Sequence, residues 1–472
     1  MLGLNKRFIR ILTAGLGFVT LFFLLRYQNQ LHEPHLLPPT ENENVCATFP
    51  KDELLALVQP VLKMGHGERR DKIEAQFDTV CSCFSEDELL IYSDLGETVR
   101  GRRVFDILSA LPESYFNPTA HPDIQHYDQQ KQLQKSGRLD KDKEATRNIN
   151  GWILDKYKFL PMVEKTWEQR PNSPFYFFLE TDTYVFWTNA MRFLRTLDPD
   201  KPLYMGSPSP GRHDLETDET TWFANGGPGF VLSRGAVRAL LKPKGSSSLT
   251  ETWSSLLAGE CCGDSVMGWA LWNISIPLQG YWPLFNPHPL HGIPFGEHHW
   301  SQPPVTLHKT EPDDVRRLWQ WEGRNRDFER PILYSDLWEF HHPVQPAIRT
   351  DWDGGEFYAF RPPPDAIVTT LEECERFCKE EKTCLQWLWK GRDESQCVLS
   401  TSFRLGNLRK PEELPEPEDR DEDGNVIPPD PKRKKRWMDF TTGWVDENIF
   451  RWRQEHRRKE ATWVEPSITR IF

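Results

Sequence analysis

The chain has no surplus of positive charge. Its 58 Lys and Arg stand against 70 Asp and Glu, which leaves a net charge of −12 and an isoelectric point near 5.7. That balance offers no electrostatic footprint for a phosphate backbone and argues against nucleic acid as the main partner. Close Cys-x-x-Cys pairs are also missing among the nine cysteines, and zinc frameworks usually need them. No small-x-small cleavage site follows the apolar run near the N-terminus, where the chain continues RYQNQLHEPHLLPP. That disfavours a signal peptide cut there. Glycosylation sequons are scarce: Asn273-Ile274-Ser275 is the usable one, because Pro118 blocks Asn117-Pro118-Thr119.

What is there begins with that apolar run. It extends from Phe8 to Leu25, behind Lys6 and Arg7, with Arg26 closing it. As a helix it spans about 27 Å, close to the thickness of an early-secretory bilayer, and Arg10 can snorkel back to the cytosolic side. Basic residues on the N-terminal side set the orientation. The expectation is a cytosolic tail (1–7), a transmembrane signal anchor (8–25), a stem (26–45) and a lumenal remainder. Cysteine use agrees: in an oxidising compartment most of Cys46, Cys81, Cys83, Cys261, Cys262, Cys374, Cys378, Cys384 and Cys397 pair, and an odd count leaves one over. Cys46, beside the stem, is placed to link two chains as a homodimer.

From 46 to 345, strand and helix signals alternate, as in an α/β domain with a mainly parallel sheet. Leu89–Tyr92 reads as a strand ending at Ser93-Asp94, and Arg103–Leu111 has helical spacing. Gly151–Arg170 carries a helical stripe of Trp152, Leu154, Tyr157, Phe159, Leu160, Val163 and Trp167. The run FYFFLETDTYVF at 175–186 reads as a buried strand that delivers Glu180 and Asp182 at its C-terminal end, where open α/β sheets bind ligands. Two carboxylates there suit a divalent cation held against a diphosphate. The triplets Asp140-Lys-Asp142, Asp351-Trp-Asp353 and Asp419-Arg-Asp421 follow no apolar strand and read as solvated loops. Further on, Gly226, Gly227 and Gly229 allow close backbone approach. Asp264 opens a helix, and Val305–His308 is a strand ending in histidine. Residues 365–406 form a small unit with cysteines spaced C-x3-C-x5-C-x12-C. The Pro-rich, charged stretch 410–436 reads as a disordered linker. The aromatic tail 437–472 is suited to docking back onto a domain, through Trp437–Phe450.

Four motifs in fixed order, ETDTYV (180–185), FANGGPGFVLSRGAV (223–237), CCGDSVMG (261–268) and VTLHKTEPDDVRRLW (305–319), resemble the Fringe and core-1 β1,3-galactosyltransferase group, glycosyltransferase family 31. The resemblance is to the fungal, membrane-anchored type whose small unit is PAN/apple-like. It implies a GT-A nucleotide-sugar domain and a single-pass type II protein of the Golgi membrane. The implied reaction is inverting transfer of a hexose or N-acetylhexosamine from a UDP-sugar to a glycan on protein or lipid, through a β1,3 linkage. Asp182 and His308 would ligate Mn²⁺ or Mg²⁺, and Glu180 would act through water or on the ribose. Asp264 would be the general base, Gly226 and Gly227 would face the donor sugar, and Asp94 would approach the nucleotide. The module would pair Cys374 with Cys397 and Cys378 with Cys384. The family's usual triplet is Asp-Asp-Asp, and this chain has Glu180-Thr181-Asp182. That departure sustains a second reading, a catalytically silent lectin-like or adhesion protein working through the module. A glycoside hydrolase would need a second acid facing Asp264.

Overall fold

The computed structural model describes residues 44–242, 247–327, 329–341, 347–416, 434–457 and 460–470. The tail, the anchor 8–25, nearly all of the stem and most of 410–436 lie outside them. Among the described residues no helix is long and apolar enough to cross a membrane.

The main sheet has eight strands: β1 (Val58–Lys63), β2 (Leu90–Ser93), β3 (Glu97–Val99), β4 (Arg102–Asp106), β5 (Phe175–Glu180), β6 (Tyr204–Gly206), β7 (Phe230–Ser233) and β8 (Gln279–Gly280). Their order is β8-β6-β7-β5-β1-β2-β4-β3. Pairs β1–β2, β1–β5, β2–β4 and β6–β8 are parallel, while β7 runs antiparallel to both neighbours and β3 to β4. Strand β5 is buried on both faces: Phe175, Phe177 and Leu179 enter one core and Tyr176 and Phe178 the other. This explains its near-continuous apolar run. From β1 the chain moves outward to β2 and later returns to β5 on the other side of β1. Such a reversal opens a crevice beyond the carboxyl ends of the strands.

Helices α1 (Arg70–Asp78), α2 (Phe159–Gln169) and α3 (Gly263–Trp272) supply residues to that crevice, and α4 (Pro312–Asn325) packs behind α1. Pro161 falls within the first turn of α2, where a missing N–H costs nothing. The expected elements differ from the structure at three places. Arg103–Leu111 is not a helix: Arg102–Asp106 forms β4, and Leu108–Ala110 is one 3₁₀ turn. The strand at 175–186 stops at Glu180, and Tyr184–Val185 joins a separate small sheet. Trp152 does not belong to the core stripe; it is 72% exposed.

A second sheet is built from Ile348–Thr350, Trp437–Trp444, Gln386–Arg392, Gln396–Ser400 and Ala359–Phe360, with the helix Leu371–Glu380 against it. It therefore takes strands from both sides of 365–406, and Trp437–Trp444 pairs along the whole of Gln386–Arg392. Cys374–Cys397 and Cys378–Cys384 are disulfides, the pairing implied by the resemblance. Cys46 is bonded to Cys83. That corrects the expectation that Cys46 joins two chains, because its sulfur is consumed within its own chain. Cys261 and Cys262 are bonded to each other, and the cysteine left over is Cys81, buried and free.

Candidate active site

The crevice begins with cross-strand register. Lys63, the last residue of β1, is the Cα partner of Glu180, the last residue of β5. Its ammonium lies 3.0 Å from Glu180 and 2.6 Å from Asp155. Burial disfavours the Lys63 charge, but the two carboxylates more than offset this and hold its pKa above the usual lysine value. Lys158 stands 3.5 Å from Asp155 and 3.7 Å from Asp94. These lysines, absent from any motif reading, neutralise the acids that the strand ends collect.

After Glu180 the chain turns, and Thr183 fixes the turn. Its hydroxyl accepts from Glu180 N–H at 3.0 Å and donates to Gly227 O at 2.6 Å. The acidic turn is thereby tied to the glycine loop. His308 arrives from another direction. Thr306-Leu307 pairs antiparallel with Tyr184-Val185, and Thr310 N–H donates to Asp182 O at 3.2 Å. That register brings His308 Nε2 to 3.4 Å from Asp182 Oδ1. On the other carboxylate oxygen, Lys72 of α1 lies at 2.9 Å. Burial alone would raise the Asp182 pKa, but the His308 and Lys72 contacts win and hold it well below the usual carboxylate range.

One ligand atom from each of Glu180, Asp182 and His308 falls within 4.8 Å of the others. Two carboxylates and an imidazole suit Mn²⁺ or Mg²⁺, Mn²⁺ being the better match to a mixed oxygen and nitrogen set. Gly227 protects this cluster, because a Cβ there would come within 2.0 Å of the His308 ring. A Cβ on Gly226 would meet Phe159 at 2.9 Å and Glu180 Oε1 at 3.1 Å.

Asp264 sits in the first turn of α3. Its carboxylate accepts from Gly226 N–H and Ser265 N–H, both at 2.9 Å. Withdrawal from water is the main cause that pushes its pKa up to about 6; the Gly226 hydrogen bond opposes this and the negative Glu180 adds to it. Asp264 and Asp182 line one cleft of about 530 Å³, together with Glu180, Gly227 and His308. Arg69, Lys72, Trp152 and Lys156 line it as well.

Asp94 lies elsewhere. It is fully buried, accepts from His66 N–H at 2.7 Å and Ser93 Oγ at 2.9 Å, and has one oxygen without a hydrogen-bond partner among the described residues. It lines an adjoining cleft of about 540 Å³ that shares Glu68, Trp152, Asp155 and Glu180 with the first. Glu68, missed in the sequence, reaches the acidic turn by accepting from the Thr181 hydroxyl. Asn273 is exposed and caps the end of α3.

Residues 162–280 match the family model described as Fringe-like. No curated protein matches the chain. The matched span contains Glu180, Asp182, Gly226, Gly227 and Asp264 and ends before His308. Over that span the chain is similar to Fringe-like glycosyltransferases.

Proposed function

We propose that this protein is a metal-dependent, inverting glycosyltransferase. It moves a hexose or N-acetylhexosamine from a UDP-sugar to a glycan acceptor on protein or lipid, with β1,3 as the linkage. In this reading the N-terminal segment anchors the chain as a single-pass type II protein of the Golgi membrane. The small disulfide-bonded unit is a PAN/apple-like module. The observation that carries the reading is the shared cleft: the Glu180, Asp182 and His308 cluster and a carboxylate with raised pKa, Asp264, line it together.

The chemistry follows from those positions. Asp182, His308 and Glu180 would hold the cation, which when bound supplies positive charge to the donor's diphosphate. Lys72 and Arg69, on the same wall, add cationic groups for phosphate oxygens. Asp94, with its unpartnered oxygen, takes a hydroxyl or N–H of the nucleoside in the adjoining cleft. Asp264 removes the proton from an acceptor hydroxyl as that oxygen bonds to the sugar C1 and the bond from C1 to the diphosphate oxygen breaks. One base and one stabilised leaving group suffice for a single displacement, which inverts the anomeric centre.

A donor screen tests this: the full chain with UDP-galactose, UDP-glucose, UDP-N-acetylglucosamine and UDP-N-acetylgalactosamine, with and without Mn²⁺, reading UDP release and binding. Mn²⁺-dependent turnover of one donor is expected. Failure to bind or turn over any of them returns the chain to a lectin-like role.

A further inference from the structure

The cleft holding Asp182 and Asp264 is not uniform. Around Asp182 it is charged, with Glu68, Arg69, Lys72 and Glu180. Near Asp264 the lining also includes Phe223 and the bonded pair Cys261–Cys262, an apolar patch flanked by Lys156 and Glu180. Cys261 is exposed, Cys262 and Phe223 are half-buried, and all three line the cleft. A disulfide between neighbouring residues is a compact, polarisable, apolar surface with no proton to donate.

This wall is also held firmly. Lys156 Nζ donates to Glu260 O at 3.1 Å, and Arg212 pairs with the Glu260 side chain. The backbone entering Cys261 is therefore anchored twice. Gly263 lets the next turn pass so close to Lys156 that a Cβ would come within 2.3 Å of its carbonyl. Gly268 of α3 comes within 2.4 Å of Phe223 by the same measure, so the helix that starts at the disulfide and the strand that carries Phe223 are locked together.

Resting on the transferase reading above, we propose that Phe223 and the Cys261–Cys262 disulfide form the platform for the acceptor sugar. The apolar C–H face of a pyranose lies on them, and its edge presents a hydroxyl to Asp264. In an in-line displacement the acceptor enters on the side of C1 away from the diphosphate. The cluster of Glu180, Asp182 and His308 suits the diphosphate, which leaves the apolar patch beside Asp264 to the acceptor. A pyranose pairs a C–H face with a rim of hydroxyls, and that combination matches an apolar floor beside an anchored carboxylate.

The test uses the full chain saturated with UDP and Mg²⁺, which is diamagnetic and leaves the ligand protons sharp. It is mixed with methyl β-D-galactopyranoside, methyl β-D-glucopyranoside or methyl α-D-mannopyranoside and read by saturation-transfer NMR. At least one glycoside should show transfer concentrated on the protons of one ring face. That signal should fall about tenfold in Phe223→Ala and in Cys261→Ala/Cys262→Ala and recover in Phe223→Tyr, while UDP affinity changes less than twofold. Retention of the signal in both variants, or no transfer to any glycoside when UDP is bound, overturns the platform. A fall in affinity for a UDP-sugar with UDP affinity intact would assign the wall to the donor sugar and overturn it equally. Absence of UDP binding by the unaltered chain is a different failure, that of the transferase reading itself.

Discussion

The Lys72 ammonium lies 2.9 Å from one oxygen of Asp182, while His308 faces the other oxygen. A divalent cation on Asp182 must therefore compete with a positive charge supplied by the chain itself. In the proposed transferase that competition would ease when a diphosphate arrives, because Lys72 would then have phosphate oxygens to move to. Lys72→Met should bind Mn²⁺ alone about tenfold more tightly, roughly 1.4 kcal/mol, yet bind UDP in the presence of Mn²⁺ more weakly. Calorimetric titration with Mn²⁺ alone and then with UDP separates the two. Equal or weaker Mn²⁺ affinity in the variant would show that Lys72 does not contest the site.

Asp182 and Asp264 should fail in different ways. Asp182→Asn removes a carboxylate from the cation cluster, so Mn²⁺-dependent UDP binding should disappear. Asp264→Asn leaves the cluster intact, so UDP binding should stay within twofold while turnover falls by about 10²–10⁴, the range for loss of a general base. Normal turnover in Asp264→Asn would exclude Asp264 as the base.

The pKa of Asp264, pushed up to about 6, sets a pH signature. As the proposed base it must be ionised, so kcat/KM should fall on an acid limb centred near pH 6. Stability runs the other way. Between the ordinary aspartate value and about 6 the folded chain holds a proton that the unfolded chain has lost, so stability falls as pH rises through that window. Above pH 6 the ionised, half-buried carboxylate costs about 3 kcal/mol. Asp264→Asn should then raise Tm at pH 8, and the gain should vanish towards pH 4. A gain of the same size at both pH values would contradict this account.

Parts of this were open to reading in the sequence, and the physical reasons differ from residue to residue. Strand β5 was legible because burial on both faces demands an unbroken apolar run. Strand β1, at the centre of the sheet, was not: Gln59 and Pro60 interrupt its pattern, and a proline argues against a central strand. Here pairing with β2 begins only at Val61, so Pro60 lies where that side of the strand is still an edge. Val104, Ile107, Leu108 and Leu111 have helical spacing, yet pairing with β2 and β3 takes Arg102–Asp106 as a strand. Asp182, His308, Asp264 and the glycines stood out through motif order. Lys63, Lys72 and Lys158 did not, because their importance comes from neighbours distant in the chain.

Gly227 makes the cation cluster sensitive to a single methyl group. A Cβ there would fall 2.0 Å from His308 Cε1 and 2.3 Å from Nε2, well inside contact distance. The imidazole is the more mobile partner and must rotate away from Asp182. Gly227→Ala should weaken Mn²⁺-dependent UDP binding more than tenfold with the far-ultraviolet circular dichroism unchanged. His308→Ala should add little when combined with it, since both act on one ligand, and a double-mutant cycle measures that coupling.

The small disulfide-bonded unit should matter to stability more than to chemistry. Cys374–Cys397 closes a loop with a sequence separation of 23, and removing such a link costs about 3 kcal/mol in the chain-entropy picture. The unit is not independent of the main core: Phe403 bridges to Phe295 through the backbone, and Trp444 packs against Trp338. Phe295 and Trp338 belong to the core cluster that also holds Phe285 and Leu307, next to His308. Cys374→Ser/Cys397→Ser should therefore lower Tm of the whole chain in one transition, with Mn²⁺-dependent UDP affinity at 20 °C within twofold of the unaltered protein. Differential scanning calorimetry would reveal a separate early transition if the unit instead melts alone, and that result would deny the coupling through Phe403.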